Sequence, residues 1–237
     1  MDTQTAEVTL EDYLLQGIAK EIFIADEARS LCVEIGNYAS QINTQGYGQL
    51  FGSLQVAYSD RQTLAVTKMF DPKSRKYPTR SIPAIINLIE KNASVWLLPQ
   101  PQVLREILVS AGHDLQTIMA CSNTQLVIQV CRHFQSTLPQ VERASACGLS
   151  LSLITLKEAR DKVIAHNEAV AQSARTLATW GETEALVRYA KNFATVISFG
   201  FLNLHMGGDA NTYRATADAR MTSIAMKRLL QIANLVE

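Results

Sequence analysis

Apolar residues recur at three- and four-residue steps along most of the chain, the spacing of one buried helical face. Over residues 9–42 the stripe reads Leu14, Ile18, Ile22, Ala25, Ala28, Cys32, Ile35, Ala39, Ile42. Thr9 with Asp12 is a loose version of the capping signal that opens a helix. A second helix is predicted over residues 47–70, through Leu50, Leu54, Ala57, Leu64, Thr67 and Met69. Turn formers and basic residues then interrupt the pattern from Asp71 through Pro72, Lys73, Ser74, Arg75, Lys76 and Tyr77 to Pro78. Ser81 is placed to cap a short helix with Pro83 in its first turn, where a missing N–H costs little.

Pro99-Gln100-Pro101 punctuates the chain again, and two helices follow near residues 103–111 and 123–138. The apolar, partly β-branched stretch 149–156 reads as the lead-in to a further helix. That helix opens on a capping box, Thr155-Leu156-Lys157-Glu158, and runs to about residue 178. Gly181 precedes a helix over 182–206, which Gly207-Gly208 should stop as C-cap glycines. The last helix starts at Asn211 or Thr212 and reaches Leu235. Helices joined by short loops, with no internal repeat, predict an all-α bundle. The whole chain, 1–237, is expected to form one domain, with a core over about 9–206 and the helix 211–235 packed on it.

Composition narrows the class. A 47% hydrophobic and 19% charged chain of 237 residues is that of a globular protein able to bury a proper core. Formal net charge is zero, which argues against a protein that coats long nucleic acids and leaves room only for a local basic site. Cys32, Cys121, Cys131 and Cys147 form no CxxC pair or metal-like cluster and read as reduced, mostly buried thiols. The acidic, polar N-terminus has no apolar signal core, and no window is apolar enough to span a bilayer. The expectation is a cytoplasmic protein.

One short stretch carries chemistry: Arg160-Asp161-Lys162-Val163-Ile164-Ala165-His166. The inward stripe of its helix reads Leu156, Ala159, Val163, His166, Val170, Ser173, Leu177, so His166 stands where the pattern wants an apolar residue. Arg160 sits beside the stripe. Six residues correspond to about 600° of rotation and about 9 Å of rise, so the two side chains do not stack within one helix. Two copies of the helix facing across a twofold axis would gather two arginines and two histidines in one cleft. The spacing therefore leans toward a homodimer-interface site.

These residue types suit RNA. A histidine titrates near neutral pH and can take the 2′-hydroxyl proton or protonate the leaving 5′-oxygen. An arginine presents a permanent cationic fork to phosphate oxygens and to charge on pentacoordinate phosphorus. Asp161 can orient either group by hydrogen bonding. No metal or other cofactor is called for: carboxylates do not cluster, and His166 has no His or Cys at i±4.

An Arg, a polar residue and then a His inside an all-helical domain resembles the signature of the HEPN superfamily, here RDKVIAH. The stretch YGQLFGSLQVAYSDRQTLAVTKMFDPKSRKYPTRSIPAIINLI is similar to its abortive-infection (phage-exclusion) branch, in which a long helix ends in FD before a basic loop and a Ser-initiated helix. The resemblance covers roughly residues 47–166. It implies an all-α, HEPN-like helical bundle with additional helices, commonly homodimeric. In active members it implies metal-independent endoribonuclease activity in phage defence or as a toxin. Carried over, Arg160 and His166 are the catalytic pair and Asp161 the polar residue after Arg; the products are a 2′,3′-cyclic phosphate and a 5′-hydroxyl. Some members of toxin–antitoxin systems pair with a neutralising nucleotidyltransferase-like antitoxin.

Plainer readings stand beside this one. Lys157, Glu158, Arg160 and Asp161 also read as a solvated helix face, and His166 as a satisfied interface histidine. The alternative function is a noncatalytic helical dimer that binds RNA or a protein partner. The basic loop, with Lys73, Arg75, Lys76 and Arg80 around Tyr77, reads as an RNA-backbone contact or a solvated loop. His113 at a helix end, His133 beside the stripe Val127, Val130, Phe134, and His205 in a last helical turn read as structural. Gly46-Tyr47-Gly48 follows no strand, which removes a dinucleotide-binding reading.

Overall fold

The computed structural model describes residues 1–74, 76, 78–139, 148–161, 179–207 and 213–236. Their regular structure is all helical: α1 (Thr3–Asp12), α2 (Lys20–Asn37), α3 (Ala39–Thr44), α4 (Gly48–Met69), α5 (Ile82–Lys91), α6 (Pro101–Ser110), α7 (Leu115–Ala120), α8 (Asn123–Thr137), α9 (Gly148–Ala159), α10 (Trp180–Leu202) and α11 (Arg214–Ile232). A π-helical turn, Tyr13–Ala19, joins α1 to α2, so one rod runs from Thr3 to Asn37.

The spacing of core residues explains that turn. Ala6, Leu10, Leu14, Ile18 and Ile22 are fully buried at unbroken four-residue steps. In an α-helix each such step over-rotates by about 40°, so the stripe would drift off the core. The wider turn at Tyr13–Ala19 absorbs the drift and keeps the five side chains on one side.

Partners across the helices give their directions. Cys32 meets Gln55, Glu27 meets Arg61 and Glu21 meets Lys68, so α4 runs antiparallel to α2. Asp26 meets Thr216 and Glu27 meets Thr222, so α11 lies parallel to α2. α8 lies parallel to α5, with Cys131 reaching Ile86 and Gln135 reaching Glu90. α10 is the central helix: Leu186, Val187, Ala190, Phe193, Ala194, Val196, Ile197 and Phe201 are all buried. Gly200 lets Leu104 of α6 approach where a β-carbon would collide. A smaller cluster of Ile35, Ile42, Phe51, Leu230 and Leu235 closes the α3 end.

Helix ends differ from the sequence expectations in instructive ways. Asp2, not Thr9, caps the first helix by accepting from the Thr5 N–H; the Thr9 hydroxyl bonds back to the Thr5 carbonyl within the helix. Thr155 does not open a capping box either. The apolar stretch ahead of it is itself α9, and the Thr155 hydroxyl donates to Leu151 O one turn back. Capping boxes form instead at Ser122–Gln125 and Thr179–Glu182. Ser81 occupies the N-cap of α5 with extended backbone, but its buried hydroxyl makes no capping bond. α10 stops at Asn203, left-handed at φ 53°, with Leu204 N–H donating to Ser198 O, several residues before the glycines. His205 thus lies beyond the helix, its ring against Phe199.

Among the described residues no helix is long and apolar enough to cross a membrane. Cys32 and Cys131 are buried and Cys121 partly so, all three unbridged; Cys147 lies outside the described residues.

Candidate active site

The site begins at the C-terminus of α4. Phe70, the C-cap residue, is buried and packs against the Tyr189 ring of α10. This peg fixes the residue after it, Asp71, at the surface end of the helix. α9 crosses there and brings Lys157 and Arg160. Arg160 and Asp161 continue α9 in a wider, π-type winding, a departure common at functional positions.

Arg160 is held by two carboxylates. Its Nε donates to Asp161 Oδ1 at 2.7 Å and its Nη1 to Asp71 Oδ1 at 2.9 Å. These bonds use two of the five N–H donors of a guanidinium. Lys157 Nζ donates to the Phe70 carbonyl at 3.2 Å and lies 3.7 Å from the same Asp71 oxygen. A cation at this carbonyl also complements the negative end of α4.

The solvated-face reading of this segment divides. The Lys157 and Arg160 side chains are only 15% and 22% exposed, whereas Asp161 is 56% exposed and Glu158 faces outward. Burial pushes the Lys157 ammonium below its ordinary range, with Asp71 opposing the shift. The hydrogen bond to Asp161 pushes the Arg160 guanidinium upward, against burial. Arg160 is therefore a permanent, oriented cation.

Asp71 and Lys157 were missed as partners of this site. They are 89 and three residues from Arg160, and no spacing rule connects Asp71 to it. The usable signal was the FD dipeptide in the resembling stretch, which the fold brings against Arg160. His166 and Lys162, with residues 162–178 generally, lie outside the described residues. Beside Ala159, a cavity of about 150 Å³ opens between α4, α9 and α10, with Trp180 and Thr183 on its wall. Among the described residues no group of three His, Cys, Asp or Glu side chains is gathered to hold a metal.

A family model described as AbiU2, a HEPN domain, matches residues 8–221, nearly the whole chain. The chain belongs to the AbiU2 family of HEPN domains. No curated protein and no solved structure matches it. The match makes the fold an abortive-infection HEPN bundle and runs through α1 to the first half of α11, beyond the segment 47–166 that carried the resemblance. Within this AbiU2-type fold, the FD end of α4 and the Arg of RDKVIAH form one ion-paired cluster.

Two further expectations resolve differently. Arg80 of the basic loop is committed to Asp12, donating through Nε at 2.8 Å and Nη2 at 3.2 Å. Arg75 and Tyr77 lie outside the described residues. His113 Nε2 and His133 Nδ1 sit 3.3 Å apart, joining the α6–α7 connection to α8, consistent with a structural role.

Proposed function

We propose that this chain is a metal-independent endoribonuclease of an abortive-infection or toxin-type system, acting in the cytoplasm as a homodimer. Arg160 stabilises the developing charge on phosphorus. His166 moves the proton between the 2′-hydroxyl and the leaving 5′-oxygen, and the 2′-oxygen attacks phosphorus as the 5′-oxygen departs. The products are a 2′,3′-cyclic phosphate and a 5′-hydroxyl. Asp161 orients the guanidinium. The observation that carries this reading is the oriented, partly buried Arg160, whose bonds to the described residues leave N–H donors for a phosphate. Membership of the AbiU2 HEPN family supports it.

A second reading has one observation in its favour. Among the described residues Asp71 and Asp161 balance Lys157 and Arg160, as suits a noncatalytic helical dimer that binds RNA or a protein partner such as an antitoxin.

The test is cleavage of a mixed RNA pool by the purified protein in EDTA, with Arg160→Ala and His166→Ala alongside. Cleavage that leaves cyclic-phosphate ends and disappears in both variants is expected. Activity that survives either substitution, or depends on added metal, removes the proposed mechanism. A folded, inactive parent moves the reading to the binding module.

A further inference from the structure

Two residues beyond Asp71, the chain enters a second concave region on the other side of the basic loop. A cavity of about 430 Å³ is lined by Tyr13 from the π turn, Lys73 and Lys76 from the loop, and Asn87 and Lys91 from α5. Asn87 and Lys91 stand four residues apart and so share one face of α5. Among the described residues no carboxylate lines this cavity, and neither Lys73 nor Lys91 has an ion-pair partner. A concavity lined by lysines and by no carboxylate among the described residues focuses a positive field and concentrates anions.

Both ends of the loop are tied down. The Arg80 fork on Asp12 ties the far end of the loop to α1, and Gly17 in the π turn rests against the Arg80 backbone. Asp71 ties the near end to Arg160. Tyr13, half-buried, contributes an aromatic surface to the cavity wall, and the Asn87 side chain has no hydrogen-bond partner among the described residues. Lysines for phosphates, an aromatic ring for a base and a free amide are the chemistry of single-stranded nucleic acid recognition.

We propose that this cavity binds the RNA strand flanking the scissile phosphate, with backbone phosphates on Lys73 and Lys91 and a base against Tyr13. The assignment rests on the nuclease reading for the identity of the strand. Two residues of chain span at most about 7 Å, so Lys73 lies within one short stretch of strand from the Asp71–Arg160 pair. A single bound strand can therefore touch both places.

The experiment is equilibrium binding of a labelled, mixed-sequence 2′-O-methyl RNA to the full-length protein across salt concentrations. That RNA lacks the attacking hydroxyl, so binding is read whether or not the protein cuts. Lys73→Ala and Lys91→Ala should each flatten the logarithmic salt dependence by about 0.7, one single-strand phosphate contact. Tyr13→Leu, which keeps an apolar side chain, should weaken binding about fivefold or more with the slope unchanged. Lys227→Ala, on exposed α11, should do neither. Unchanged slopes in both cavity lysine variants, equal loss in Lys227→Ala, or no binding by the parent would overturn the assignment. The nuclease reading is judged separately, by cleavage of ordinary RNA. Lysine-dependent binding without cleavage keeps the cavity and removes the nuclease; cleavage with lysine-independent binding does the reverse.

Discussion

The Arg160 guanidinium donates to the Asp71 carboxylate at 2.9 Å, joining α9 to the end of α4 across 89 residues of chain. Without Asp71 the guanidinium would keep its bond to the exposed neighbour Asp161 and lose its anchor on α4. Asp71 selects a direction for it, and Phe70, locked against Tyr189, selects the position of Asp71.

Asp71→Asn should therefore act on both stability and chemistry. The paired side chains are 29% and 22% exposed, between the surface and buried cases, so the loss should be about 1–2 kcal/mol in urea unfolding. On the nuclease proposal, RNA cleavage should fall about ten- to a hundredfold through misplacement of Arg160, while Asp71→Glu retains part of it. Full cleavage by Asp71→Asn would separate the pair from the chemistry.

Much of the fold was legible because burial repeats at helical spacing. The second helix, predicted over 47–70, is α4 to within a residue at each end. The ends that misled were those where a hydroxyl chose a carbonyl one turn back over a capping N–H, as Thr9 and Thr155 do. Sequence alone does not decide that competition, since the same Thr side chain serves either role. The four-residue steps from Ala6 to Ile22 did carry a signal for the π turn: they are too regular for α-winding. Arg160 and Asp161 were singled out by the motif. Asp71 was not, because its contact is a product of tertiary packing.

The pair His113–His133 predicts acid sensitivity. His133 is half-buried, and burial first, then the neighbouring His113, hold its pKa below the ordinary 6.5. The unfolded chain then binds the proton more readily than the folded one. Stability should be unaffected above about pH 6.5 and should fall as pH drops from there through the lowered folded value. His133→Gln should reduce that fall. Unfolding free energies measured between neutral and mildly acid pH, parallel for wild type and variant, would count against this account.

Two glycine substitutions should move stability in opposite directions. A β-carbon at Gly52, in α4, meets nothing within 4 Å, so Gly52→Ala should stabilise by about 0.5–1 kcal/mol through helix propensity. At Gly17 the same carbon would stand 2.7 Å from the Arg80 carbonyl oxygen and collide with the Arg80 side chain. Gly17→Ala should cost about 1–3 kcal/mol, because backbone must move. It should also weaken binding of 2′-O-methyl RNA, since the displaced loop carries Lys73. Thermal melts of both variants, with binding of Gly17→Ala, check the pair; equal shifts of the same sign would sink it.

α11 is held by polar links more than by apolar burial, and this makes Asp26 its most sensitive anchor. The inner face of α11 offers Thr216 and Ala219 to the core, and Leu230 with partly buried Met226 to the smaller cluster. Asp26 accepts from the Thr216 hydroxyl at 2.5 Å and from Lys191 of α10 at 2.8 Å, with the Lys191 and Asp26 side chains only 9% and 12% exposed. Asp26→Ala takes the 2.8 Å counter-charge from the buried Lys191 ammonium and should cost about 3 kcal/mol. Asp26→Leu with Lys191→Met removes both charges together and should recover most of that loss, but not the Thr216 bond. In native-state hydrogen exchange, Asp26→Ala should expose the amides of α11 before those of α4. Loss spread evenly over both helices would mean that α11 is fixed by its apolar end, at Leu230, and that the polar links only accompany it.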